Sequence, residues 1–422
     1  AAFDLAFFGR NNPRRTQMLL AQQQQYGSFT IPREDVEESF WQMIEEGSHE
    51  IIEVRSASEI DTTRRGSGFP RTRDAPSSAD GKKEEENETI ANMRKSPWNL
   101  NNLPVLRGPG EHESLLASLP EHVAGLSQPY LYVGSTFAST CWHVEENNLY
   151  SITYQHAGAA KMWYAIPATA AETIENSFKR AVPDLFAKHP DAMTLVVSML
   201  PPSTLRNDNV PVFRVEQNPG EFIVTFPSSY HAQVDCGFNI SEKVNFAPPD
   251  WLPHGAAAVK RYRSCQKSSV FCHERLLCDS ADVTLPKLEE GNEGKETTIS
   301  ENTTRWLLPE LRQMMNEERQ AREQLATDGV VRSKIVVNKN KPSSSSSSSE
   351  ADAVAIVKKT RKEARLRTAT RTAEDFPECV ICRSMLHLSG IMCKCNVGRK
   401  ACLRHCVELC EECSLDNRVL FY

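Results

Sequence analysis

The stretch "FASTCWHVEENNLYSITYQHAGAAKMWY" (Phe137–Tyr164) places His143 and Glu145 two residues apart, and "GEFIVTFPSSYHAQ" adds His231 further along the chain. Two histidines and one carboxylate gathered on one face of a metal ion leave its opposite face open, the arrangement an oxygen-activating iron requires. Alternate residues on a strand point the same way, so His143 and Glu145, read on a strand, supply two ligands to one ion. The third ligand must come from a remote strand. His231 qualifies, since residues 221–226 read as a strand and Pro227 breaks it just before the histidine. The pair by itself is a weak signal, because two polar residues on the wet face of a strand have the same spacing.

A stronger signal is "CVICRSMLHLSGIMCKCNVGRKACLRHCVELCEEC". Cys379 with Cys382, Cys393 with Cys395, Cys402 with His405, and Cys410 with Cys413 make four ligand pairs. Two tetrahedral zinc ions need that number, and the short intervals let backbone turns wrap each metal. Eight of the 13 cysteines follow residue 378, and such tight pairing points to metal rather than disulfides. Cys406 is spare. Cys265, Cys272, His273 and Cys278 read as packing residues rather than a third site. His156, in "YQHAG", reads as a hydrogen-bonded core histidine, and His254 and His387 carry no special signal.

These groups need elements to hold them. A chain of 422 residues predicts two or three domains. Its 25% charged and 40% hydrophobic content is ordinary globular usage, while a mean hydropathy of -0.47 predicts folded parts diluted by polar tracts. The net charge of -6 argues against a nucleic-acid binder along its whole length, although residues 358–371 hold seven Lys/Arg against one Glu. That run reads equally as a nuclear-import or nucleic-acid patch and as a solvated basic helix. No stretch approaches the roughly 20 consecutive apolar residues of a membrane span, so no membrane partner is expected. The chain starts at Ala1 without a methionine and reads as a fragment, which leaves its targeting signals unread.

Residues 1–70 read as a helical lead-in, in which "REDVEESFWQMIEEG" sets Val36, Phe40, Trp41 and Ile44 on one helical face. Residues 71–95, with "GKKEEENE", read as a disordered acidic insertion. From 96 to 264 short runs such as "PYLYVGSTF", "YSITYQ", "KMWYAIP", "TLVVSML", "VFRVEQ", "EFIVTF" and "KVNFAPP" are of strand length and broken by turn residues, which predicts an antiparallel barrel or sandwich with added helices. "ATAAETIENSFKRAVPDLF" is the clearest of those helices. Residues 265–330 read as a helical region, 331–372 as a linker with seven successive serines and the basic run, and 373–422 as the zinc-binding domain.

With these elements placed, "CWHVEENNLYSITYQHAGAAKMWY" and "GEFIVTFPSSYHAQVDCGFNISEKVNFAPPDWLPHG" resemble the JmjC oxygenases, specifically the JARID-type histone demethylases, whose substrate is methylated lysine 4 of histone H3. The likeness extends through "FWQMIEE", "GSGFP", "WNLNNLPVL" and "VKRYR", covering most of residues 30–280, and the late cysteines resemble the five-Cys, His, two-Cys finger of those proteins. The resemblance implies a mainly β fold: a cupin-like double-stranded β-helix (jelly roll) with added helices, then a helical region and a small zinc-binding domain. It implies Fe(II) held by His143, Glu145 and His231. It further implies 2-oxoglutarate and O2 as cosubstrates, with Lys161 fixing the distal carboxylate and Tyr150, Ser151, Thr153 and Trp163 at pocket positions. Two Zn(II) ions belong to the finger. The implied reaction hydroxylates an N-methyl group on the histone H3 tail with release of formaldehyde, among chromatin complexes in the nucleus, with a weak DNA contact through residues 358–371.

The sequence departs from the family at Thr153, where an asparagine is usual, at Thr140, where an aromatic precedes "CWH", and at Ser56, where a tyrosine is aligned. Asp235 also replaces an asparagine. Each lost hydrogen bond to a charged cosubstrate costs about 1.5–3 kcal/mol if nothing replaces it. A catalytically weak or inactive JmjC scaffold or reader is therefore the alternative, and fold alone leaves open a JmjC protein hydroxylase.

Overall fold

The computed structural model describes residues 7–8, 13–26, 31–47, 51–71, 87–106, 114–119, 123–195, 199–284, 301–332 and 377–421. Most of the acidic insertion, the serine run and the basic run at 358–371 lie outside the described residues. The chain divides into two compact units, the first taking residues 1–101, 128–145 and 150–245, the second 102–127, 146–149 and 246–422.

In the first unit the apolar runs form β1 (Ala57–Asp61), β2 (Tyr130–Gly134), β3 (Ser139–His143), β4 (Tyr150–Gly158), β5 (Lys161–Ile166), β6 (Phe213–Gln217), β7 (Phe222–Thr225), β8 (Tyr230–Asp235) and β9 (Asn239–Phe246). They make two sheets, ordered β1-β2-β9-β4-β7 and β3-β8-β5-β6. Strand β2 pairs with β9, β3 with β8, β4 with β7 and β5 with β6, all antiparallel. This nesting is a long hairpin rolled over on itself, the jelly-roll pattern. The lead-in contributes the edge strand β1, antiparallel to β2. "GSGFP" anchors the same sheet, since Ser67 Oγ donates to the buried Glu242 carboxylate on β9 at 2.8 Å.

Side-chain alternation divides each strand between two environments. On the outer face of the β5/β8 sheet, Met162, Tyr164, Ile166, Ala232 and Val234 join one apolar cluster with Val36 and Phe40 of the helix Arg33–Glu46 and with Ile174 and Phe178 of the helix Ala171–Ala181. Val36 and Phe40, one turn apart, are the buried stripe of a helix that begins with Glu34 and Asp35 and ends at Gly47 with φ +62°. The other face is polar: Ser151, Thr153 and Gln155 on β4, His231 and Asp235 on β8, and Asn239, Ser241 and Asn245 on β9 are all buried. The hydrophobic core thus lies outside the roll, and the interior is lined by hydrogen-bonding groups.

Three runs differ from the sequence reading. The end of the segment read as a disordered insertion is a helix, Glu88–Lys95, capped by the Asn87 side chain, which accepts from the Thr89 amide. "ATAAETIENSFKRAVPDLF" forms two helices, Ala171–Ala181 and Pro183–Lys188, broken where Val182 adopts φ -134°, ψ 60°, because a residue before proline avoids the helical region. In "TLVVSML", Thr194 and Leu195 end a 3-10 turn, Ala192–Leu195, instead of starting a strand, and residues 196–198 lie outside the described set.

The second unit contains the helices Leu252–Cys265, His273–Thr284 and Glu301–Thr327, with a sheet of β10 (Val331–Arg332), β11 (Gly390–Cys393), β12 (Asn396–Ala401) and β13 (Arg418–Phe421). Leu325 and Val330 share a cluster with Leu386, Ile391, Ala401 and Leu420, so the end of the long helix and the cysteine-rich segment have one core. Among the described residues, no helix is long and apolar enough to cross a membrane.

Candidate metal centres

His143 closes β3, and the antiparallel register with β8 sets His231 directly across from it. The ring Nδ1 of His143 donates to the Cys141 carbonyl oxygen at 2.8 Å, and that of His231 to the Ser229 carbonyl oxygen at 3.0 Å. Each Nε2 is left as a lone pair facing inward, the tautomer a metal ligand needs. Glu145 lies just past the end of β3 rather than on the strand, with Oε1 3.1 Å from His231 Nε2 and 3.9 Å from His143 Nε2. Donors at right angles with bonds of about 2.1 Å lie about 3 Å apart, a span that Glu145 and His231 have and that Glu145 and His143 exceed, so the three converge on one ion once His143 closes in.

Two residues that sequence reasoning missed hold the carboxylate. Asn245 Nδ2 donates to Glu145 Oε2 at 3.0 Å and to the Tyr150 carbonyl oxygen at 3.1 Å, which turns Oε1 toward the histidines. Lys243 places its ammonium 2.6 Å from that same Oε1. Burial alone would raise the Glu145 carboxyl, but the Lys243 charge beside it outweighs this and holds the group well below the usual range. Burial, reinforced by His231 and Lys243, pushes His143 down to about 3, so the imidazole is neutral at physiological pH.

Deeper along the same strands, β5 sets Lys161 opposite Asp235 and Trp163 opposite Gln233. Lys161 is 1% exposed, and its ammonium lies 2.6 Å from Asp235 Oδ1. Trp163 Nε1 donates to Gln217 Oε1 at 2.8 Å, and Gln217 donates on to the Thr153 carbonyl oxygen at 2.9 Å. Ser151 and Thr225 share a hydroxyl hydrogen bond of 2.6 Å. Tyr150 lies edge-on to Phe226 with ring centroids 5.5 Å apart. Thr140 accepts from Gln233 at 3.1 Å, whereas Ser56 is exposed. Tyr132, opposite Ser241, is also drawn in: burial first, then Glu59 and Glu145, raise its phenol.

Thr153 Oγ1, Gln155 Oε1, Gln233 Oε1, Asn239 Oδ1 and Ser241 Oγ are buried without a hydrogen-bond partner in the protein. Orphaned polar atoms in a closed interior are costly. Among them the Thr153 and Ser241 hydroxyls can donate to a carboxylate or keto oxygen, whereas the three amide oxygens only accept and call for donors such as water. The hydroxyls and the Lys161 ammonium are thus the groups that suit an oxo-dicarboxylate, although that ammonium is already paired with Asp235.

In the second unit, Cys379, Cys382, Cys402 and His405 form one group and Cys393, Cys395, Cys410 and Cys413 another, each with ligand atoms within 4.8 Å of one another. The first pair meets the third and the second meets the fourth, so the two groups interleave along the chain. Sγ atoms lie 3.8 Å apart between Cys382 and Cys402 and 3.7 Å apart between Cys395 and Cys410. Two sulfurs about 2.3 Å from one tetrahedral zinc are separated by that span. Buried Arg418 donates to Cys393 Sγ at 3.0 Å and to the Cys406 carbonyl oxygen at 3.1 Å, bringing a cation to the thiolates. Cys406 is buried in the finger core. Cys265, Cys272, His273 and Cys278 form no such group among the described residues; His273 packs on Trp251, and burial raises Cys272 to about 12. His156 packs against Tyr154 and Phe69 with Nε2 3.2 Å from Glu242.

Residues 130–246 match the family model of the JmjC domain, hydroxylase, and residues 379–422 that of the C5HC2 zinc finger. The chain thus carries a JmjC domain, seen as a cupin-like antiparallel roll, and a C5HC2 zinc-finger region, and its similar proteins are lysine-specific demethylases of the JARID type. Lysine-specific demethylase JMJ17 of Arabidopsis thaliana is 37% identical over 392 residues, which cover 93% of this chain and 28% of that protein. Lysine-specific demethylase 5B of Gallus gallus is 32% identical over 386 residues, or 90% of this chain and 21% of the relative. Lysine-specific demethylase 5D of Homo sapiens is 32% identical over 392 residues, or 93% and 22%. The chain thus spans less than a third of the length of these relatives.

Proposed function

We propose that the chain is the catalytic part of an Fe(II)- and 2-oxoglutarate-dependent dioxygenase. It removes methyl groups from a histone H3 lysine, lysine 4 on the family resemblance, by N-methyl hydroxylation with release of formaldehyde. The observation that carries this reading is the facial convergence of His143, Glu145 and His231, with both Nδ1 atoms committed to backbone carbonyls. Bound iron supplies oxygen activation. The chain's own residues do the rest. His143, Glu145 and His231 hold the metal, Asn245 aims the carboxylate, and Thr153, Trp163 and Ser151 line the cosubstrate pocket. Lys161 provides the cation for its distal carboxylate, while Tyr150 and Phe226 line the mouth. The finger holds two zinc ions through its two four-ligand groups and serves as structure, since closed tetrahedral sites leave no position for substrate. On this reading the division at residues 96–264, 265–330 and 373–422 separates catalysis, helical support and metal-bound scaffold. The partner is a methylated histone H3 tail in nuclear chromatin complexes, with a weak DNA contact through residues 358–371.

A second reading, a JmjC scaffold whose cosubstrate pocket has closed on itself, draws on the Lys161–Asp235 pair. Turnover of 2-oxoglutarate to succinate by the iron-loaded protein decides between the two. Succinate and formaldehyde that depend on a trimethylated H3 tail peptide, and that vanish in Lys161→Ala, support the demethylase. Bound iron without turnover supports the scaffold, and succinate without formaldehyde moves the assignment to a protein hydroxylase.

A further inference from the structure

The ammonium of Lys243 is paired with the one Glu145 oxygen that faces both histidines. Lys243 lies on β9, opposite Tyr130 of β2, on the same face as Ser241 and Asn245. Its Nζ is 2.6 Å from Glu145 Oε1, and that one oxygen is also the atom 3.1 Å from His231 Nε2 and 3.9 Å from His143 Nε2. The other oxygen, Oε2, is engaged by Asn245 at 3.0 Å, so the carboxylate has no second free oxygen to offer. A divalent ion bonded to both Nε2 atoms and to Oε1 would meet the ammonium across the same oxygen, and two cations repel strongly at such range in a buried site. Lys243 has somewhere to go. Its side chain is 20% exposed whereas that of Glu145 is 7% exposed, and its four-carbon stem can carry the ammonium outward into water.

We infer that Lys243 is a displaceable internal cation that occupies the metal's place on Glu145, so that metal loading and release of Lys243 are one competitive event. This rests on reading His143, Glu145 and His231 as metal ligands. The resident cation keeps a buried, otherwise unpaired carboxylate neutralised before metal arrives, which is costly to leave undone. It also sets a threshold of divalent concentration below which the site stays closed. An ordinary core ion pair would have the opposite signature, since removing Lys243 would then loosen the carboxylate and weaken metal binding.

The test is Mn(II) binding to the whole chain, without cosubstrate, measured by titration calorimetry and by the free-Mn(II) electron paramagnetic resonance signal. Lys243→Ala and Lys243→Gln are expected to tighten Mn(II) by about tenfold or more, while Lys243→Arg keeps the weak wild-type affinity. Unchanged or weaker binding in Lys243→Ala and Lys243→Gln, with wild-type binding that His143→Ala abolishes, overturns the role of Lys243 and leaves the metal reading intact. Absence of His143-dependent binding in every variant overturns both. Should the neutral variants lose the native circular dichroism spectrum, amine acetylation of the wild type followed by mass spectrometry decides: Lys243 labelling rises several-fold with Mn(II) under the inference, and stays level if it is wrong.

Discussion

In the roll, three candidate ligands come from the end of β3, a residue just past it and β8, with Glu145 and His231 separated by 86 positions. They meet because the register of two strands sets His143 across from His231. In the finger, eight candidate ligands come as four pairs, each pair two or three residues apart, and the pairs interleave into two groups. The roll has an apolar core of its own on the outer face of its sheet, independent of any metal. The finger's core contains the ligands themselves, with Cys379, Cys382 and Cys393 buried among Leu386, Ile391 and Leu420. A site that must stay open is built on a scaffold that folds without it. A closed site is allowed to be the scaffold.

Metal removal sharpens that contrast most. Structural zinc supplies about 10–16 kcal/mol of folding free energy in small fingers. A strong chelator, or Cys379→Ser, is therefore expected to unfold residues 377–421 and expose them to protease while residues 130–246 stay protected. Simultaneous loss of both would break the comparison. His231→Ala is the converse experiment. It is expected to lower turnover by at least about a hundredfold while the roll keeps its protease resistance, and a collapsed roll would mean that the ligand is also a structural keystone.

The difference also governs what the sequence discloses. Ligand pairs in the finger are local, so "CVIC" and "CKC" advertise themselves, although only the fold tells which pair joins which. The helix at Arg33–Glu46 was legible because Val36 and Phe40 repeat at its period. Strand runs other than "TLVVSML" were legible too, but the contents of the roll were not. Alternation separates polar from apolar faces without distinguishing water from a polar interior. Asn239, Ser241, Lys243 and Asn245 therefore read like the wet face of β9, and only its pairing with β2 turns them inward. Asp235 was visible as a substitution, yet its effect required the register that places Lys161 opposite it.

A histidine that is buried without being a ligand gives a third point of reference. Burial, with the Arg263 charge, lowers His273 from 6.5 to about 4. The unfolded chain protonates it near 6.5, so the neutral ring favours folding fully above that pH, and this stability is lost as pH falls from 6.5 toward 4. The loss amounts to about 3 kcal/mol. Denaturant midpoints of the second unit should fall over this window, and the excess slope should disappear in His273→Leu. An unchanged slope would mean that His273 is solvated in the native state.

The smallest expected effect concerns the cosubstrate side of the roll, where Asp235 holds the buried ammonium of Lys161 at 2.6 Å. A dicarboxylate entering the pocket must compete with Asp235 for that cation. Burial raises the Asp235 carboxyl despite the lysine, so the pair is held at some desolvation cost. Asp235→Asn keeps an acceptor for Lys161 and removes the competing charge. The variant is expected to be less stable without ligand, because a buried cation loses its counterion. It is also expected to bind 2-oxoglutarate or its unreactive N-oxalylglycine analogue about tenfold more tightly by calorimetry. Tighter binding with restored turnover would place the pocket among working dioxygenases restrained by one carboxylate. Lower stability with no gain in affinity would mean that Asp235 and Lys161 are a structural pair, and that the polar interior of the roll is closed to a second anion.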